Sequence, residues 1–272
     1  MNRKQIIEKI IQKKEFSQLP EKDVELAFLH FDKERYADEE KVKLTRDLLR
    51  KVFSAFASQK ILSPKNKNVD WILRKHLSTK ERMNVQHSSK DGQMRERLPY
   101  YDEIYERILK GIGKKITILD LGAGVNGFSY NHFKKLNLDV NYISVEAVGQ
   151  LVDLTNRYFN AEKINGKAFH FSLFELEKIK KLVLKQKKPR VIFLLKTLDS
   201  LEMMKRDYSK ELLLNLVPLC ERMIVSFATR SMIKRKKFHA KRNWIVDFIK
   251  ENFEIKDDFE IGGERYIVFR HY

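Results

Sequence analysis

Apolar residues recur at helical spacing along the first part of the chain, and from Ile116 onward they gather into short unbroken runs. Ile6, Ile7, Ile10 and Ile11 form one helical stripe, with Lys13 and Lys14 near its end. Pro20-Glu21-Lys22-Asp23 opens a second helix, proline supplying a preset φ near the start. Asp38-Glu39-Glu40 opens a third, with Val42, Leu44, Leu48, Leu49, Val52 and Phe53 on one side. Ser63-Pro64-Lys65-Asn66 breaks the pattern before residues 69–83, and a polar stretch from Asn84 to Glu96 carries the loop signal Ser88-Ser89-Lys90-Asp91-Gly92. Tyr101 to Leu109 gives one more short helix.

Beyond it strands and helices alternate. Strands are expected at 116–121, 140–146, 167–172, 190–195, 221–228 and 265–270, and helices at 128–136, 150–159, 175–186, 209–217 and 242–252. This order predicts an α/β fold with a parallel sheet, preceded by an all-α N-terminal domain. The boundary is expected at 105/106, giving a helical domain 1–105, divisible into 1–62 and 63–105, and a Rossmann-like domain 106–272. Parallel strands joined by crossover helices place a ligand crevice at their carboxyl ends. The first strand ends in Asp120-Leu121-Gly122-Ala123-Gly124, and Glu146 closes the second. Gly122 and Gly124 let the backbone approach a ligand closely, and an acid at the end of the next strand can accept both hydroxyls of a ribose. Without a third glycine at the dinucleotide spacing, Asp-x-Gly-x-Gly favours S-adenosylmethionine over NAD.

Composition adds a polyanionic partner. Among 272 residues, 55 Lys and Arg stand against 37 Asp and Glu, a net charge of +18. Clustered cations displace counterions from a phosphate backbone. Two clusters stand out, Lys178 to Arg190 and Arg230 to Arg242, the second with hardly any acid. The lone cysteine, Cys220, excludes an intramolecular disulfide and a thiolate zinc cage, and is expected to be buried. His132, His170 and His239 show no metal-ligand spacing, and no metal is expected; Trp71 and Trp244 are expected in the core. No apolar stretch approaches the ~20 residues of a membrane span and the N-terminus lacks an apolar signal core, so a cytoplasmic setting is expected.

Three further segments carry a family resemblance. They are His76-Leu77-Ser78-Thr79-Lys80-Glu81-Arg82 with Leu98, Asp102, Glu103, Ile104 and Tyr105; Leu119 to Asn126; and Val225-Ser226-Phe227-Ala228-Thr229-Arg230-Ser231, running on to Arg235, Lys237 and Trp244. In this order they resemble the aminoglycoside-resistance 16S ribosomal RNA guanine-N7 methyltransferases, of which the chain looks like a divergent member. The resemblance implies a class I S-adenosyl-L-methionine-dependent methyltransferase domain behind a helical RNA-docking domain. The implied partner is 16S ribosomal RNA in the small ribosomal subunit, and a monomer is expected. It assigns to cofactor binding His76, Ser78, Thr79, Arg82, Arg97, Gly122, Ala123, Gly124, Asn126, Glu146, Ala147, Leu173, Phe174 and Leu195. Either Arg82 or Arg97 would hold the methionine carboxylate, Glu146 the ribose, and Ser172-Leu173-Phe174 the adenine, although relatives place an acid in that last segment.

Lys196, Asp199, Arg230 and Ser231 are expected around the target base, Lys196 either in the pocket or in a structural ion pair. Lys13, Lys14, Lys234, Arg235, Lys236, Lys237 and Lys241 are expected on RNA. Guanine N7 carries a lone pair and no proton, so its methylation needs no general base. Competing readings keep the fold but target adenine N1 or a transfer RNA, where Asp199 would take a proton, or reduce the chain to a ribosome assembly factor with a decayed cofactor pocket.

Overall fold

Strands β1 (Lys115–Leu121) and β4 (Arg190–Leu195) are buried at almost every position because both of their faces are covered, and apolar residues fill most of those positions. In the computed structural model they are neighbours in a seven-stranded sheet of order β3-β2-β1-β4-β5-β7-β6. Residues 1–53, 97–229 and 242–272 are described. Expectations falling on 54–96 and 230–241, including the 62/63 division, Trp71 and His239, lie outside them.

Strands β2 (Asp139–Glu146), β3 (Gly166–His170) and β5 (Arg222–Ala228) run parallel to β1 and β4. β7 (Glu264–Arg270) returns antiparallel to β5, and β6 (Glu254–Ile261) pairs antiparallel with β7 at the sheet edge. The sequence pattern omitted β6. Its residues, Glu-Ile-Lys-Asp-Asp-Phe-Glu-Ile, are mostly polar because an edge strand meets solvent on one side, and charge there blocks further pairing. The expected helix 128–136 is a 3₁₀ turn, Asn126–Ser129, followed by a short α-helix, Asn131–Lys135. A helix over Leu198–Met204 was also missed.

The N-terminal helices α1 (Arg3–Ile11), α2 (Glu21–Leu29) and α3 (Asp38–Phe53) form as the apolar spacing predicts. Asn2 caps α1 through the Gln5 amide, with Gln5 reaching back to the Asn2 amide. Their buried residues, among them Ile6, Ile10, Val24, Phe28 and Leu49, join one apolar core with residues of the sheet such as Ile118, Tyr142 and Phe193. The helix Tyr101–Leu109 (α4) buries Tyr101, Ile104, Tyr105 and Ile108 in that core, Tyr105 stacking on Phe133 and Phe193. The boundary expected at 105/106 therefore falls inside a helix that packs on the sheet. Beyond α4 the helices are α5 (Asn131–Lys135), α6 (Gly149–Ala161), α7 (Leu176–Leu184), α8 (Leu198–Met204), α9 (Tyr208–Leu216) and α10 (Asn243–Asn252).

Two composition readings need correction. Trp244 is among the exposed large side chains, because α10 turns Ile245, Val246 and Ile249 inward instead. In the cluster Lys178 to Arg190, Lys178 pairs with Glu175, Lys180 with Glu177 and Lys188 with Glu221. Arg190 is buried and donates to the carbonyls of Gln186, Leu219 and Leu184 at 2.8, 3.1 and 3.1 Å. It is a structural clamp. Cys220 is buried as expected, and burial pushes its thiol up to about 12.

Arg190→Met strands those three carbonyls. Urea unfolding is expected to show a loss of about 2–4 kcal/mol with an unchanged slope, and RNA affinity is expected to stay within twofold of the parent.

Candidate active site

The parallel register brings the carboxyl ends of β1 and β2 level, Leu121 lying opposite Val145. The chain then turns sharply: the amides of Gly122 and Ala123 both donate to the Val145 carbonyl, at 2.9 and 3.1 Å. Gly122 has φ 73°, and a Cβ there would sit 2.8 Å from Thr197 Cγ2, so both conformation and space require glycine. Gly124, at φ 54°, donates its amide to Glu146 Oε2 at 2.8 Å. The other carboxylate oxygen of Glu146 accepts the Val148 amide at 2.9 Å. Burial raises the Glu146 carboxyl, and these amides work against that rise.

Beside this turn, at the carboxyl ends of the parallel strands, lies a cleft where such a sheet holds its ligand. Of the residues expected at the site, Gly122, Glu146, Ala147, Leu173, Phe174 and Lys196 line it. Thr197 lines it too, within the segment 196–199 expected to point into the crevice; Asp23, Val52, Phe53, Ser200 and Leu201 line it as well, and sequence reasoning missed them. Ser200 and Leu201 lie one turn into the helix that follows β4, and nothing in the sequence of α2 and α3 marks Asp23, Val52 or Phe53 as cleft residues. Leu173 and Phe174 are held by Tyr208, whose hydroxyl donates to the Leu173 carbonyl at 2.6 Å and whose ring lies 4.6 Å from that of Phe174. Leu195 is buried at the end of β4, and Ala123 is buried within the turn.

Asn126 is assigned to the cofactor by resemblance, yet its amide is fully used inside the protein. Its oxygen accepts from Tyr101 at 3.0 Å and Tyr105 at 3.3 Å, and its nitrogen donates to Asp120 at 2.9 Å and Tyr142 at 3.3 Å. Tyr142 also donates to Asp120, whose carboxyl is raised by burial. Asn126 thus fastens α4 to the strand beneath the glycine turn, and acts on the cleft through that turn.

Arg97 and Lys196 converge on another group the sequence did not flag, Glu264. Arg97 donates to both of its oxygens, at 2.8 and 2.6 Å, Lys196 Nζ lies 3.1 Å away, and the Ser226 hydroxyl donates to it. Burial alone would raise the Glu264 carboxyl; Arg97 first and then Lys196 outweigh it and hold it at about 2. The structural ion pair is therefore realised for Lys196, which also reaches the cleft wall. Arg97 is committed to Glu264. Asp199 receives Arg242 at 2.7–3.1 Å, and Arg242 also donates to the Ala228 carbonyl at 2.9 Å. Lys13 and Lys14 are exposed after α1. His76, Ser78, Thr79, Arg82, Arg230, Ser231, Lys234, Arg235, Lys236, Lys237 and Lys241 lie outside the described residues.

Asp23 is 1% exposed, with one carboxylate oxygen, Oδ2, lacking any hydrogen-bond partner. Burial raises its carboxyl to about 7 against a lowering hydrogen bond from the Ser172 side chain, and Glu146 and Glu175 add to the rise.

A family model described as Ribosomal RNA methyltransferase (FmrO) matches residues 45–254. No curated protein matches the chain by sequence. Among solved structures, the 16S rRNA methyltransferase RmtF in complex with S-adenosyl-L-homocysteine is similar at 18% identity and a TM-score of 0.75, with all of both chains covered. An rRNA methylase from Escherichia coli is similar at 17% identity and a TM-score of 0.73, again over the whole of both chains. The 16S rRNA methylase RmtB is similar at 17% identity and a TM-score of 0.72, covering 100% of this chain and 99% of that one. At such identities the likeness shows the fold.

Glu264→Gln leaves two buried cations facing a neutral amide, and is expected to lose about 3–5 kcal/mol at pH 7 in denaturant titration. Because the folded carboxyl is depressed, its contribution is complete above the unfolded value of 4.5 and is lost as pH falls through about 2. The gap between parent and variant should accordingly close across that window.

Proposed function

Because the chain belongs to the FmrO family of ribosomal RNA methyltransferases, enzymes that use S-adenosyl-L-methionine, we propose that it methylates N7 of a guanine in the decoding region of 16S ribosomal RNA. The residues present suit that cofactor. Glu146 offers a carboxylate to a ribose, the Gly122 turn admits backbone close to the ligand, and Ala147, Leu173 and Phe174 give an apolar slot for a flat base. When bound, the cofactor supplies a methyl group activated by a sulfonium.

The single observation that supports N7 is the neutralisation of Lys196 and Asp199, the two described ionisable groups expected around the target base. Lys196 is paired with Glu264, and both oxygens of Asp199 are taken by Arg242. A base position that must lose a proton, such as guanine N1 or an exocyclic amine, needs a free acceptor, and Asp199 is already engaged with a cation. Guanine N7 needs none; adenine N1 also carries a lone pair, and mapping the modified nucleotide separates the two. Catalysis then rests on alignment, worth up to ~7–11 kcal/mol in well-oriented systems, and on holding a base drawn from its stack. Exposed Lys13 and Lys14 suit phosphate contacts that set register without reading sequence.

Incubation with unmodified small subunits and labelled cofactor, followed by mapping of the modified nucleotide, is expected to place the label on one guanine as the borohydride- and aniline-cleavable N7 adduct. Label on adenine, or only on transfer RNA, would overturn the reading. Glu146→Ala is expected to abolish cofactor binding in calorimetry while subunit binding persists. Unchanged cofactor affinity in that variant would remove Glu146 from the ribose.

A further inference from the structure

Ser172 is fully buried in the segment between β3 and α7, where relatives carry a carboxylate toward adenine, and it has only a hydroxyl to offer. Its hydroxyl oxygen accepts the Phe174 amide at 3.0 Å, and a carboxylate from elsewhere, Asp23 on the first turn of α2, lies close enough to sense it. Asp23 lines the same cleft as Glu146, Ala147 and Phe174. Oδ2 has no partner. A buried carboxylate oxygen without a donor is expensive to keep, so its persistence at a cleft wall points to a ligand that supplies one.

Resting on the cofactor reading above, we propose that Asp23 accepts the exocyclic amino group of the cofactor's adenine, standing in for the carboxylate that Ser172 lacks.

The chemistry of the wall selects this donor. Val52 and Phe53 from α3 and Leu173, Phe174 and Leu201 from the sheet domain give apolar surfaces suited to the faces of a flat ring. Asp23 is then the acceptor at its edge, while Glu146 is left for the ribose. At pH 8, where this carboxyl is ionised, a purine with oxygen at position 6 would place an acceptor against Oδ2 and be refused, so the comparison of ligands belongs at that pH. The polar group that reads the base belongs to the N-terminal bundle, so the cofactor site is completed by two parts of the chain distant in sequence.

The test compares S-adenosylhomocysteine with its inosine counterpart, S-inosylhomocysteine, by calorimetry on the full chain. The parent is expected to prefer the adenine compound by about ten- to hundredfold, the range for a hydrogen bond to a charged group. Asp23→Ala should erase that preference, chiefly by weakening the adenine compound. Asp23→Asn keeps the shape and can turn either its oxygen or its nitrogen to the ring, so it should narrow the preference. This variant removes only an ionisation that burial disfavours, so it should melt no lower than the parent at pH 8. An Asp23→Ala variant, or failing its folding an Asp23→Asn variant, that keeps the parent's full preference overturns the assignment while leaving the cofactor reading intact. A parent that binds neither compound overturns both.

Discussion

One carboxylate holds the cleft in shape. Glu146 ends β2, accepts the amide of Gly124 with one oxygen and that of Val148 with the other, and so ties the turn after β1 to the turn that starts α6. A buried carboxylate is costly unless its lone pairs are met, and here two backbone donors meet them. The parallel register supplies the precondition, since only with Leu121 level with Val145 can the glycine turn reach that carboxylate. The same donors also define what a ligand must do. A ribose that takes hydrogen bonds at Glu146 enters an acceptor already oriented by its surroundings, with little ordering left to accomplish.

The sheet was legible in the sequence for a physical reason. Strands covered on both faces must be apolar at consecutive positions, so β1, β2 and β4 declare themselves, and the glycines that follow β1 do so because no other residue fits at Gly122. The edge strand β6 gave no such signal because its exposed positions are polar. Glu264 was invisible for another reason: an acid at the start of a strand looks solvated until the fold brings Arg97 and Lys196 onto it from remote positions. Asp23 misled in the same way. In sequence it is an ordinary acid in the first turn of a helix; in space it is buried at a cleft wall. Local pattern reports what a residue does for its own element, and long-range contact decides the rest.

The helical bundle and the sheet share a single apolar core, and polar contacts reinforce the seam. His30 reaches the Met204 carbonyl at 2.8 Å, and Nε2 of His170 faces the carbonyls of Gln18 and Ala147 at 2.8 and 3.0 Å, so that nitrogen carries the proton. Gly149 donates its amide to Gln18 on the same seam. The segment that leads from α1 to α2 is thereby fixed against the start of α6, close in sequence to Glu146. Exposed lysines on that segment are held by the same scaffold that shapes the cleft.

The pairing of Arg242 with Asp199 carries one more consequence. Arg242 also donates to the carbonyl of Ala228, and Thr229 is bound on its other side to Gly263 and Glu260. Thr229 and Arg242 are thus both tied to the edge of the sheet. One guanidinium thereby couples the start of α8 to the end of β5 across the carboxyl-end rim of the sheet, so the two cannot shift independently.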